Sequence, residues 1–99
     1  MEVKIQSVGF KADAKLKDFA TKKINKLATF SDFLISAEVF FKVINTSNEE
    51  NKETEIKISI PGNDLFAKKL AKSFEESVDK AVEALRRQIK KIKGKQEIQ

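Results

Sequence analysis

Several residue types that usually carry enzyme chemistry are missing from this chain of 99 residues. It has no cysteine, which excludes disulfides and thiolate nucleophiles. It has no histidine, which removes the commonest general base and metal ligand. Its glycines, Gly9, Gly62 and Gly94, lie far apart, so no glycine-rich phosphate loop is formed. We therefore expect no catalytic residue, no metal site, no cofactor and no small-molecule substrate.

Long apolar segments are missing too. The apolar runs are only a few residues long, too short to span a membrane. The N-terminus lacks the basic flank and apolar block of a signal peptide. Neither tryptophan nor tyrosine is present to hold a helix at a lipid surface. With 40% apolar residues, the chain is expected to form one cytoplasmic domain, residues 1–99, without a membrane partner.

Hydrophobic periodicity predicts a strand and a helix in the N-terminal third. Val3 and Ile5 alternate with polar residues, as in a short strand, and Gly9 permits a turn after it. From residue 13 to residue 28 the apolar residues recur at helical spacing. Asp13 is a candidate N-cap for this helix. Its apolar stripe consists of Leu16, Phe19, Ala20, Ile24 and Leu27.

The middle of the chain alternates with a period of two. Residues 34–44 and 53–60 each have one apolar face, which predicts two strands. The polar turn 45–51 lies between them, so an antiparallel hairpin is the simplest pairing. Phe40 falls on the mixed face of the first strand. The apolar face of that strand consists of Ile35, Ala37, Val39, Phe41 and Val43.

The C-terminal third begins with an ambiguous segment. Residues 65–72 alternate like a strand but also have good helix propensity. Ser73 and Glu76 then form the pattern of a capping box, which favours an extended segment before them. A long helix follows, with Gly94 as a candidate stop. Its apolar stripe consists of Phe74, Val78, Ala81, Val82, Leu85, Ile89 and Ile92.

The resulting element order is β-α-β-β-β-α. A strand, a helix and a second strand in one sheet imply a parallel pair. Because the middle strands each have one apolar face, both helices should cover the same side of the sheet. The sequence thus predicts an α/β (α+β) two-layer sandwich: a four-stranded mixed sheet with both helices on one face.

Positive charge is concentrated on the two helices. The formal net charge is +5, and residues 84–96 contain six cations and no acid. At about 100° per residue, the last helix has two basic flanks: one consists of Lys80, Arg87 and Lys91, the other of Arg86, Lys90 and Lys93. The first helix has a similar line, formed by Lys15, Lys22 and Lys26, while Lys23 lies nearer the core edge.

This pattern is compatible with two classes of function. A one-sided basic surface favours docking on a polyanion such as RNA. The alternative is a protein-interaction module that binds an acidic partner or self-associates through the open sheet face, where Phe40 lies. A lysine-rich helix is also a common solvated face. The two functions differ in the surface that does the work.

Three segments resemble one known family, the ribosome hibernation-promoting factors or ribosomal subunit interface proteins. "LRRQIKKIK" (85–93) is similar to the family's closing L-x-R-Q-[LI]-x-K-x-K, and "SFEESVD" (73–79) resembles its D-x-Y-x-A-I-D. "KLKDFATKKINKLATF" (15–30) looks like its first helix. Departures are Ser73, Glu75 and the pair Ser77 and Val78, where the family usually has aspartate, tyrosine and alanine-isoleucine.

The resemblance implies that residues 65–72 form a strand. It also implies a translation inhibitor that binds the RNA of the small ribosomal subunit, occludes the messenger and transfer RNA sites and protects idle ribosomes in stationary phase. Long members carry a second domain, so this chain resembles a short member; a monomer is expected.

The RNA-binding residues come from two sources. The family motifs imply Lys23, Lys26, Arg87, Gln88, Lys91 and Lys93. The helical arrangement independently places Arg87 and Lys91 on one exposed line. Lys22 and Lys80 are added from that arrangement alone.

Overall fold

Six elements make up the computed structural model, which describes residues 1–98, with side-chain surroundings for residues 1–94. They are β1 (Glu2–Val8), α1 (Ala14–Leu27), β2 (Ser36–Val43), β3 (Lys52–Ile60), β4 (Asn63–Ala71) and α2 (Phe74–Ile98). The predicted order β-α-β-β-β-α is therefore confirmed. The ambiguous segment 65–72 lies almost entirely in a strand.

The four strands form one mixed sheet in the order β1-β2-β3-β4. β1 and β2 are parallel, with Val3 beside Ala37, whereas β2–β3 and β3–β4 are antiparallel. The parallel pair and the central hairpin are thus confirmed. Pro61 and Gly62 connect β3 to β4, and the φ of 77° at Gly62 is the left-handed value that glycine accepts without strain.

Both helix starts are fixed by the side chains that the sequence indicated. Asp13 Oδ1 accepts a hydrogen bond from the Leu16 backbone N–H at 2.8 Å, and Ser73 Oγ accepts one from the Glu76 N–H at 3.1 Å. Each bond satisfies a backbone donor that has no partner within the helix. These caps explain why α1 and α2 begin where they do.

The core lies between the helices and one face of the sheet. Phe41 is the largest of the fully buried side chains, and Phe74 packs edge-on against its ring at a centroid distance of 5.2 Å. One buried polar pair joins the layers, since the hydroxyls of Thr54 and Ser77 share a hydrogen bond. The predicted stripes of both helices are confirmed, and the core they form contains Leu16, Ala20, Ile24, Leu27, Val39, Phe41, Ile56, Ile58, Leu65, Val78, Ala81, Leu85 and Ile89.

Two details of the sequence interpretation were wrong. The apolar face predicted for residues 34–44 is shorter than expected, because Ile35 is 57% exposed and Val43 is 43% exposed. Ile35 precedes β2 and Val43 ends it. Gly94 does not end the last helix either, since α2 continues to Ile98. The positive-φ glycines are Gly9 and Gly62, so Gly94 lacks the left-handed conformation that terminates a helix.

Candidate nucleic-acid interface

The two helices lie side by side and run in the same direction. Near their N-terminal ends the rings of Phe10 and Phe74 stack at 4.9 Å. Further along, the Lys23 ammonium lies 3.2 Å from the Asp79 carboxylate, as expected of a salt-bridge acid on the last helix. Phe30, just past the end of α1, meets Arg86. The second half of α2 therefore extends beyond the end of α1.

This arrangement decides where the two basic flanks of α2 point. Arg86, Lys90 and Lys93 face α1, and we call them the α1 flank: Arg86 lies over the Phe30 ring and Lys93 donates to the Phe30 carbonyl. Lys80, Arg87 and Lys91 form the β4 flank. Beside them the amide of Gln88 donates to the Phe66 carbonyl of β4 at 2.9 Å. Both flanks border the outer surface of α2, away from the sheet.

Charge is also separated along the axis of α2. Residues 74–83 contain four acids and one lysine, whereas residues 84–94 contain five cations and no acid. Acids near a helix N-terminus and cations toward its C-terminus both interact favourably with the helix dipole. Part of the pattern therefore stabilises the helix itself. The positive surface is confined to the half of α2 that projects past α1.

Several of the predicted site residues have acidic partners. Lys22 pairs with Asp18 at 3.0 Å. Lys80 pairs with Glu76 and with Glu50 of the β2–β3 loop, at 3.6 and 3.8 Å. All these groups are substantially exposed, so each pair adds little stability and an RNA phosphate could displace the acid.

The basic segment 84–96 is less isolated from acid than the sequence indicated. Glu83, directly before it, lies 3.4 Å from Arg86 and 3.8 Å from Arg87. Spacings of three and four residues place these side chains on adjacent helical turns. Among residues 1–94, in contrast, no carboxylate lies within 4.0 Å of the ammonium groups of Lys26, Lys90 or Lys91.

The eight predicted RNA-binding residues thus fall into three places. Lys23, Lys26 and Lys93 lie where α1 meets α2. Arg87, Gln88 and Lys91 lie on or beside the β4 flank, and Gln88 is partly buried because its amide covers the edge of β4. Lys22 lies on the exposed side of α1, and Lys80 lies beside the β2–β3 loop. The structure brings the first two groups to one end of the molecule and leaves Lys80 apart.

Three residues of this surface were missing from the predicted site: Phe30, Arg86 and Lys90. The helical arrangement had already grouped Arg86 and Lys90 with Lys93. It could not show which flank of α2 meets α1, because that depends on how the helices pack. Phe30 belonged to a segment that only broke the helical pattern, and nothing in its spacing marked it as exposed.

Two kinds of site find no support in the described part of the chain. Within it, no three or more acidic, histidine or cysteine side chains come together in a way that could hold a metal ion. No helix in that part is long and apolar enough to cross a membrane.

Comparison with known proteins gives one family. The model of the Sigma 54 modulation protein / S30EA ribosomal protein family matches residues 3–97. A ribosome hibernation promotion factor of Deinococcus radiodurans is 25% identical over 79 residues, which are 79% of this chain and 41% of that protein. The match therefore spans less than half of the relative's length.

Two solved structures have the same fold. A ribosomal subunit interface protein of Coxiella burnetii aligns with a TM-score of 0.83 at 19% identity, covering 95% of this chain and 99% of its own. The N-terminal domain of Thermus thermophilus Protein Y aligns with a TM-score of 0.80 at 20% identity, covering 93% and 99%. At this level of identity the two structures establish the architecture.

Proposed function

The chain belongs to the Sigma 54 modulation protein / S30EA ribosomal protein family, and on that premise we propose that it is a ribosome hibernation factor. In this proposal residues 1–99 act as one unit that binds the RNA of the small ribosomal subunit. The bound protein occupies the space of messenger and transfer RNA and so inhibits translation in stress. The names of the Deinococcus and Coxiella relatives, a hibernation promotion factor and a subunit interface protein, support this assignment.

The observation that carries the proposal is the basic end of the helical layer. Lys26, Lys90 and Lys91 project there without a carboxylate among residues 1–94 within ion-pair distance, beside Arg86 and Arg87. Lysine supplies a point charge for a phosphate, and arginine adds a planar fork that binds two phosphate oxygens. Since the surface is built on packed helices, its charges are held in a fixed arrangement before RNA arrives.

The mechanism that follows is steric. No side chain of the interface has to bind a cofactor or move a proton, because inhibition requires only that the rigid domain occupy a site that another RNA needs. The proposed partner lies in the cytoplasm, in keeping with the expected localisation, and one copy of the chain is sufficient for this mechanism.

Replacement of Arg87 and Lys91 with glutamine tests whether this surface binds phosphates. We expect the affinity for purified small ribosomal subunits to fall at low salt. The slope of log affinity against log salt should flatten by about one to two units, because each phosphate-binding cation releases counterions. Glutamine keeps the helix propensity of α2 high, so the double variant should stay folded. Sedimentation with small subunits at several salt concentrations measures both quantities.

The matched control is Lys42→Gln with Lys68→Gln. It removes the same charge from the open face, by which we mean the sheet surface opposite the helices, and should leave the slope nearly unchanged. Equal slopes for the parent and the Arg87/Lys91 variant would show that this flank is only solvated. If Phe40→Ser on the open face abolished binding while the domain stayed folded, the alternative protein-interaction surface would be favoured instead.

A further inference from the structure

A pocket at the end of α1 has features that phosphate binding alone does not require. Its volume is about 380 Å³, within the range of small-molecule sites, about 300–1,000 Å³. One wall is the aromatic ring of Phe30, and the other walls come from the C-terminal half of α2. The lining residues are Phe30, Arg86, Ile89, Lys90, Lys93 and Gly94.

Phe30 is exposed but held in position. Its side chain is 40% exposed, although Phe33, three residues later, packs against the core. The backbone of Phe30 is fixed on both sides: its N–H donates to the Leu27 carbonyl at 3.0 Å, and its carbonyl accepts from the Lys93 ammonium. An aromatic ring on a fixed backbone at the surface presents a π face to a ligand without first having to be ordered.

Arg86 and Gly94 shape the rest of the pocket. The Arg86 guanidinium carbon lies 5.4 Å from the centroid of the Phe30 ring, within cation–π distance. A Cβ added at Gly94 would meet no atom within 4 Å, so the absence of a side chain there leaves open space. Ile89 closes the bottom of the pocket with apolar surface, since it is buried in the core.

Cations surround this partly aromatic pocket. Lys90 and Lys93 line it directly, and Lys26 lines a neighbouring cavity that shares Phe30 and Arg86. A flat ring with lysines around it matches the two parts of a nucleotide, a base and its phosphate. Aromatic rings and guanidinium planes are the surfaces on which unpaired RNA bases stack.

We propose that the pocket takes one unpaired nucleobase of RNA, which stacks on Phe30 beside Arg86 while its phosphates lie on Lys90 and Lys93. This inference rests on the proposed function and goes further, because it names a single-stranded nucleotide as the ligand of one site. A base inside a duplex is stacked and paired, and its ring faces are not available to Phe30.

Phe30→Leu tests the stacking because it keeps an apolar side chain and removes the π face. With an unstructured RNA of about 10 nucleotides, within the range of single-strand sites, we expect the affinity to fall about 5- to 100-fold. The salt slope should stay unchanged, since Phe30 carries no charge that could release counterions. Phe40→Leu on the open face is the matched control and should bind like the parent.

A second variant reports stacking directly. The chain contains no tryptophan and no tyrosine, so Phe30→Trp introduces its only strong fluorophore. The affinity for the oligonucleotide should be retained, and the tryptophan emission should be quenched as a base stacks on the indole. The same oligonucleotide annealed to its complement should bind Phe30→Leu and the parent equally.

Three results would overturn the inference: unchanged affinity of Phe30→Leu, unchanged emission of Phe30→Trp at saturating RNA, or no binding of the oligonucleotide by the parent. Any of these leaves the proposed function standing if the parent still sediments with small subunits in a salt-dependent manner. Loss of that sedimentation would remove the proposed function itself.

Discussion

Leu85→Ala should lower the free energy of unfolding by about 2–5 kcal/mol. Leu85 is fully buried, with 0% exposure, at the centre of the stripe through which α2 packs on the sheet. Removing its branched end takes away contacts on all sides, and the strands beneath cannot collapse fully into the space. Urea denaturation of parent and variant, followed by circular dichroism, gives the difference.

Leu70→Ala is the control for this measurement. It deletes the same atoms from a leucine that is 43% exposed on the open face, so less apolar contact is lost and the cost should stay below about 1 kcal/mol. A loss for Leu85→Ala below about 0.5 kcal/mol, within the range of surface substitutions, would mean that α2 does not pack on the sheet through this stripe.

A variant in which Arg86, Arg87, Lys90 and Lys91 are all glutamine should have the largest effect on ribosome binding. Two of these cations belong to the α1 flank and two to the β4 flank. If each neutralises one phosphate, the slope of log affinity against log salt should flatten by about three to four units. The fold should persist, because the four side chains are exposed and only the surface pairs with Glu83 are lost.

The control for the quadruple variant removes four lysines from the open face: Lys4, Lys42, Lys57 and Lys68. Parent, variant and control are compared by sedimentation with small subunits, and the two variants have the same net charge, so a general electrostatic effect would lower the affinity of both. A steep slope in the control and a flat slope in the helical variant locates RNA binding on the helices. The opposite result would place it on the sheet and contradict the proposal.

The fold followed from the sequence where local chemistry decides it. Asp13 and Ser73 marked the helix starts because a side-chain oxygen beside free backbone N–H groups has few other arrangements. Alternation showed the strands, and the cap at Ser73 favoured a strand at 65–72 against its helix propensity. Exposure at the strand ends could not be read in this way, since Ile35 and Val43 keep the alternation but lie where β2 begins and stops.

The candidate site was predicted less completely, because it depends on how two helices pack. Arg87 and Lys91 were found from spacing on one helix. The relation of Lys93 to Phe30 joins positions 63 residues apart, and no local pattern encodes it. Glu83 was overlooked as a partner of Arg86 and Arg87 because the basic segment was examined without the turn before it. Gly94 fitted a helix stop by residue type alone, whereas its backbone conformation is helical.

The order of strands in the sheet has a consequence for how the chain folds. Each strand lies beside its neighbour in sequence, so no strand must insert between two strands that are already paired. Closing the β3–β4 turn costs least entropy and closing the connection from β1 to β2 through α1 costs most. We expect the β2–β3–β4 meander to be formed in the transition state and β1 to join last, with φ-values higher for Ile58→Val than for Val3→Ala. Equal values at the two positions would contradict this sequence of events.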